Sequence, residues 1–208
     1  EATPGVLDQL KQGGYTMIPL AAVAAAALLL AVWKSLELSR IRVRADADVR
    51  AVVDALRAGE IDTARAHAGK IRRPLRRLVD DLIEYREAPR EHLEEIMHEH
   101  VLASLPFLER NLGALAVLGG VAPLLGLLGT VTGMIHTFRL VTLFGSGDAQ
   151  LLAGGISEAL VTTLTGLAIA IPTLLIHAAL ARRARGIIGA LETMAATLVN
   201  DLKLRSAR

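Results

Sequence analysis

Lys, Arg, Asp and Glu make up 21% of this 208-residue chain, yet three stretches contain none of them. These are Tyr15 to Trp33, Asn111 to Phe138 and Ala159 to Ala181. The shortest holds 19 residues, roughly 28 Å as a helix at about 1.5 Å per residue, which matches a hydrocarbon core of about 30 Å. Burying all three inside a soluble domain of this size would leave almost no polar shell. Gly119 and Pro123 would weaken a soluble helix, but in lipid neighbouring helices resatisfy the backbone groups they free. A secretory signal is the rival reading of the first stretch. Only Lys11 precedes it as a cation, however, and no small-residue cleavage site stands before the charged segment. Composition agrees with helices in lipid. The chain is 52% hydrophobic but only 3% aromatic, with a mean hydropathy of +0.44, and its Ala, Leu and Gly favour closely packed helices over a β-sandwich. The predicted fold class is all-α, a polytopic membrane protein with three transmembrane helices, a helical cytoplasmic extension, and long helices continuous with the spans.

Cations set the orientation. Residues 1–14 carry one Lys or Arg, 34–110 carry fifteen, 139–158 carry one and 182–208 carry six. The positive-inside tendency places the N-terminus outside and the C-terminus in the cytoplasm, an alternation that three spans satisfy. The predicted segments are an outer N-terminal piece 1–14, span one at 15–33, a cytoplasmic helical region 34–110 and span two at 111–138. An outer connection 139–157, span three at 158–181 and a cytoplasmic C-terminal helix 182–208 complete the chain.

The region 34–110 balances fifteen cations with fifteen anions. Asp46 is a candidate cap for a helix bearing Val49, Val52, Val53 and Leu56, ended by Gly59; Asp62 is a candidate cap for a short helix through Ala68. Pro74 opens a helix with Leu75, Leu78, Val79, Leu82 and Ile83 on one face, and Pro89 restarts the chain. From there Met97, Val101, Ser104, Leu108, Leu112 and Leu115 form one apolar stripe, which predicts a single helix running into the second span, with a kink possible at Pro106.

Several chemistries are excluded or disfavoured. With no cysteine, the chain has no disulfide, thiolate zinc site, iron–sulfur cluster or cysteine nucleophile. Lys70, Arg72, Arg73, Arg76 and Arg77 lack interleaved aromatics, so anionic headgroups or solvent fit them better than nucleic acid. His92, His98 and His100 stand near Glu95 and Glu99, but His98 and His100 fall on different helix faces and make a poor metal site. No nucleophile–base pair or phosphate-cradling loop is present. The chain reads as neither enzyme nor cofactor or metal binder.

Small and polar residues in the second and third spans are ordered. Gly119, Pro123, Gly126, Thr130, Gly133 and Thr137 recur at alternating steps of four and three. Ala159, Thr163, Gly166, Ala170, Thr173 and His177 repeat those steps. Such seams let helices approach closely, and packing alone would account for much of the pattern. Glu158 at the outer end of the third span adds a functional signal, because an ionisable group at membrane depth is costly and belongs to a pathway or a pair. Thr162 and Thr165 share its face at i+4 and i+7.

The segments Ala122-Pro-Leu-Leu-Gly-Leu-Leu-Gly-Thr-Val-Thr-Gly-Met134 and Gly155-Ile-Ser-Glu-Ala-Leu-Val-Thr-Thr-Leu-Thr-Gly-Leu-Ala-Ile-Ala-Ile-Pro172 resemble the two signature spans of the MotA/TolQ/ExbB proton-channel family. Three spans rather than four, the connection Leu143-Phe-Gly-Ser-Gly-Asp-Ala-Gln150 and the run Ala170-Ile-Pro-Thr-Leu-Leu-Ile-His177 are most similar to ExbB-type components of TonB systems. The resemblance covers roughly the last hundred residues and the remainder by topology. It implies a bacterial inner-membrane subunit that forms a homo-oligomeric ring, usually a pentamer. The ring would enclose ExbD-like helices and use the proton gradient to drive a TonB-like protein for outer-membrane import. It also implies that Thr130 and Thr163 are pore-facing, that Glu158 is the family's third-span glutamate, and that the proton-carrying aspartate belongs to the ExbD-like partner. Gly126, Gly133, Thr137, Thr162, Gly166, Ala170 and Thr173 are the expected seam and partner-helix contacts. His177 departs from the asparagine or tyrosine common near its position. A TolQ-like subunit of the Tol-Pal machine and a non-conducting membrane scaffold are the alternatives.

Overall fold

The computed structural model describes residues 15–41, 45–69, 71, 75–144 and 149–206. Seven helices and no strand occur among the described residues: α1 (Met17–Arg40), α2 (Ala45–Ala58), α3 (Ile61–Ala68), α4 (Leu75–Glu84), α5 (Arg90–Glu109), α6 (Leu112–Phe144) and α7 (Ala149–Ser206). Three of the helical stretches are long and apolar enough to cross a membrane. The all-α, three-span reading therefore holds. The 33 residues of α6 and the 58 of α7 rise about 50 and 87 Å, well beyond a hydrocarbon core of about 30 Å. Residues 139–144 and 149–157, assigned above to the outer connection, are thus helical, and 145–148 fall outside the described residues.

The chain divides into two compact units. In the first, residues 1–34 with 111–179, large side chains face outward: Leu124, Leu127, Leu128, Leu160, Leu164 and Leu175 are each more than half exposed, while Ala122, Ala159 and Ala170 are buried. An apolar exterior over a small-residue interior is what lipid as solvent selects.

The second unit, residues 35–110 with 180–208, has the opposite polarity. Val52, Val53, Leu78, Val79, Leu82, Ile83, Leu93, Val101 and Leu108 form its core. Leu180, Ala184, Ile187, Leu191, Ala195 and Val199 add a buried stripe at helical spacing from the distal part of α7. Arg90 joins these elements, donating to Glu94 Oε1 at 2.7 Å and to Asn200 Oδ1 at 3.2 Å. Between α4 and α5, His100 Nε2 and Asp81 Oδ2 lie 2.5 Å apart. His100 is therefore an interhelical tether rather than part of a histidine cluster; His92 lies 3.5 Å from Glu95.

Local signals met mixed outcomes. Gly59, at φ 84°, ends α2 in the left-handed conformation that glycine adopts without a Cβ penalty. Glu60 rather than Asp62 is the N-cap residue of α3, and Asp62 sits in its first turn, where a negative charge complements the helix dipole. Asp46 lies within α2, not ahead of it. Pro89 precedes α5 as expected. Lys70, Arg72, Arg73 and Pro74 fall outside the described residues, whereas Arg76 and Arg77 are exposed on α4.

The expected uninterrupted helix from Pro89 into the second span is corrected at one point. Arg110 leaves the helical region at ψ 133°, and Asn111 adopts φ 65°. Asparagine is one of the few residues besides glycine that tolerates this left-handed geometry at a helix end. Arg110 N–H still donates to the Pro106 carbonyl at 3.0 Å, and the Asn111 carbonyl accepts from Leu115 N–H at 3.1 Å to begin α6. Val101 and Leu108 on α5, and Leu112 and Leu115 on α6, are each buried within their own unit.

Candidate functional site

Within the first unit the two small-residue seams face each other. A Cβ built on Gly166 would lie 2.7 Å from the Ala122 carbonyl oxygen and 3.1 Å from Gly126 Cα. One on Gly126 would meet the Thr162 carbonyl oxygen at 3.0 Å and Thr163 Cα at 3.1 Å. One on Gly133 would meet Ala159 Cβ at 2.9 Å, and one on Gly119 would meet Leu174 Cδ2 at 2.8 Å. Gly129 abuts the Thr162 side chain, and Gly155 abuts Thr137 Oγ1. These contacts set the register of an antiparallel α6–α7 pair too close for a methyl group at most crossing points. Dispersion and backbone approach, rather than water release, hold such a pair in lipid.

The hydroxyls are committed within this seam. Thr163 Oγ1 donates across the helices to the Gly126 carbonyl at 3.0 Å. Thr137 donates to Gly133 O at 2.9 Å, Thr162 to Ala159 O at 2.7 Å, Thr165 to Val161 O at 2.8 Å and Thr173 to Ile169 O at 2.7 Å. Thr130 bonds back to Leu127 O at 2.7 Å. A threonine whose proton is given to a carbonyl still has lone pairs that accept, so these groups remain receptive to a donor.

Burial sorts the expected residues. Gly126, Gly133, Thr137, Gly166, Ala170 and Thr173 are buried, and so is Thr162, whereas Thr130, Thr163, Glu158 and Thr165 are only partly buried. The structure therefore separates Thr162 from Glu158 and Thr165 in exposure, although the three share a face by spacing. Thr162 fills the space left by Gly129. Sequence reasoning passed over Gly129 and Gly155, since neither falls on the alternating steps of four and three. The signal was there in Gly126-x-x-Gly129-x-x-x-Gly133, which widens the small face of α6 by one position.

Three apolar helices and a closely locked seam carrying hydroxyls, with a carboxyl at one end, define a polytopic α-helical membrane protein. Comparison with known sequences gives its kind: residues 67–193 match the MotA/TolQ/ExbB proton channel family. The chain belongs to that family. It is 34% identical over 182 residues to a biopolymer transport protein ExbB-like 1 from Synechocystis, covering 84% of this chain and 70% of that protein. It is 30% identical over 167 residues to a biopolymer transport protein ExbB homolog from Methanothermobacter thermautotrophicus, covering 80% of this chain and 59% of that protein. A Tol-Pal system protein TolQ from Pseudomonas aeruginosa is 36% identical over 97 residues, covering 47% of this chain and 39% of that protein. The family is one of proton channels and transport components rather than of enzymes. Membership and the three apolar helices support an inner-membrane protein.

Proposed function

We propose that this chain is an ExbB-like, ring-forming subunit of a motor driven by the proton-motive force. Its partners would be ExbD-like helices within the ring and a TonB-like protein that energises outer-membrane import. The N-terminus lies outside and the C-terminus in the cytoplasm, with spans at 15–33, 111–138 and 158–181. The observation that carries the reading is Glu158, a partly buried carboxyl at the margin of helices whose spans hold no other acid.

The mechanism follows from the cost of charge in lipid. The ExbD-like partner supplies the proton-carrying carboxylate. Thr130 and Thr163 offer oxygens to that group or to bridging water, and Glu158 sets the potential at the outer entrance. Gly126, Gly133, Thr137, Thr162, Gly166, Ala170 and Thr173 hold the wall in shape. Protonation removes the partner's charge and lowers its cost of facing apolar wall, so the partner helices turn within a homo-oligomeric, pentameric ring. Each charge crossing the membrane potential yields about 2.3 kcal/mol per 100 mV, so a few protons supply useful work.

Thr163→Val keeps the side-chain volume while deleting the hydroxyl. Native mass spectrometry should find the ring assembled, while partner-dependent transport, read as iron–siderophore uptake, falls to background. Normal uptake would sink the pore role of Thr163. A second reading, a TolQ-like subunit with TolR- and TolA-like partners, is favoured by the 36% identity to TolQ over 97 residues. The co-purifying partner distinguishes the two. A non-conducting scaffold would instead tolerate Ala at Glu158 and Val at both threonines.

A further inference from the structure

Arg182, Arg183 and Arg185 open the distal part of α7, and residues 159–191 hold these three arginines with no Asp or Glu. All three are exposed. Other arginines of the same unit have a carboxylate beside them: Arg76 lies 3.6 Å from Asp80, Arg86 3.1 Å from Glu87 and Arg90 2.7 Å from Glu94. Arg182, Arg183 and Arg185 have no such partner among the described residues. The sequence explains why. The positions three and four away from each, where a helix brings a counter-charge, hold alanine, leucine, isoleucine, glycine or another arginine. Arg182 and Arg185 thus stand as like charges at i and i+3, which destabilises a helix unless an anion joins them.

Leu180, Ala184, Ile187 and Leu191 are the buried stripe of this part of α7. At about 100° per residue, Arg182 and Arg185 lie about 200° and 140° round the axis from Leu180, on the face turned away from that core. Gly186 and Gly189 continue the same outward face, and a Cβ added at either would meet nothing within 4 Å. Glycine weakens a helix interior relative to alanine; here it leaves room down to the backbone beside two guanidinium groups. Depth follows from the charge pattern. Arg182 is the first residue beyond the charge-free stretch 159–181, and the three arginines span about 4.5 Å of rise. On a helix that crosses a bilayer, that is the level of the lipid headgroups.

We propose that Arg182, Arg183 and Arg185 hold the phosphate of one anionic phospholipid, with Gly186 and Gly189 accommodating the body of its headgroup. The inference rests on α7 crossing the membrane and is independent of the partners proposed above. A guanidinium presents its N–H donors as a planar fork that matches two phosphate oxygens at once. The net negative charge of the headgroup relieves the like-charge crowding on the helix. A zwitterionic lipid brings its own ammonium to the cluster and relieves nothing, so the site discriminates by net charge. Free phosphate offers the same oxygens, but the position of the arginines at the end of an apolar stretch favours the lipid, whose acyl chains hold its phosphate at that depth.

The test uses the full chain, delipidated in detergent and then offered dioleoyl phosphatidylglycerol or dioleoyl phosphatidylcholine, with bound lipid counted by native mass spectrometry. Wild type should retain phosphatidylglycerol and release phosphatidylcholine. Arg182→Gln/Arg185→Gln should lower retention of phosphatidylglycerol about tenfold or more. Arg182→Lys/Arg185→Lys should recover it, because an ammonium also pairs with phosphate; no recovery overturns the pairing. Arg76→Gln/Arg77→Gln removes the same charge from α4 and should leave retention unchanged. Wild-type retention in the Arg182→Gln/Arg185→Gln variant overturns the site. An equal loss in the α4 variant also overturns it, in favour of diffuse attraction to positive charge. Inorganic phosphate that displaces the lipid at equal concentration overturns the lipid assignment in favour of a soluble anion. Loss of assembly on size-exclusion chromatography with lipid retention intact overturns it in favour of a second copy on this face. A wild-type chain that carbonate releases from membranes overturns the spanning of α7 together with the site, whereas the other failures leave the spanning reading in place.

Discussion

The two units use the same helical period with inverted contents. From 119 to 173 the buried residues among those described are glycine, alanine and threonine and the exterior is rich in leucine; in 35–110 with 180–208 the interior is mainly leucine, valine, isoleucine and alanine and the exterior carries the charge. Hydrophobicity alone therefore does not say which face of a helix is buried. The solvent decides: water expels large apolar side chains into a core, whereas lipid is indifferent to them and rewards close backbone approach and satisfied hydroxyls. In the lipid-facing unit the smallest residues are the structural ones.

The comparison breaks most visibly at the seam. Gly166→Leu would place four carbons where a single Cβ already lies 2.7 Å from the Ala122 carbonyl, and backbone does not yield as a flexible side chain does. Overpacking costs about 1–3 kcal/mol or more at such sites. We expect loss of assembled protein in mild detergent on size-exclusion chromatography, together with all transport. Recovery of normal assembly would mean the seam is looser than described. Leu82→Ala probes the other interior. Leu82 is 1% exposed, and truncation of such a residue costs about 2–5 kcal/mol. Hydrogen exchange should rise across α4 and α5 while residues 111–179 keep their protection; a global loss would deny the units separate stability. The smallest effect belongs to the charged exterior. Asp80→Asn removes an exposed pair with Arg76 at 3.6 Å and should change stability by less than about 0.5 kcal/mol in thermal denaturation.

Much of this was legible before any coordinates. The absence of charge from 15–33, 111–138 and 159–181 pointed to three helices long and apolar enough to cross a membrane, and the steps of four and three picked out the small residues that meet between α6 and α7. Periodicity assigns a residue to a face but does not say what that face meets. Hence the two seams were visible as stripes, while their closing on each other, and the burial of Thr162 against Gly129, were not. Asn111 hid for a different reason. An apolar stripe continued straight past it, and only the tolerance of asparagine for positive φ marked a possible stop. His100 was weighed against its neighbours in sequence, whereas its partner Asp81 lies 19 residues away on another helix.

The tightness of the α6–α7 contact has a mechanical corollary. With backbone atoms near contact at Gly126 and Gly166, and with Thr163 anchored to the Gly126 carbonyl, neither helix has clearance to slide or roll on the other. The pair behaves as a single stave. In the ring proposed above, the moving surface would be the leucine-rich outside of each pair or the lining presented to the helices at the centre. Gearing would then be a property of that ring, to which each chain would contribute stiffness.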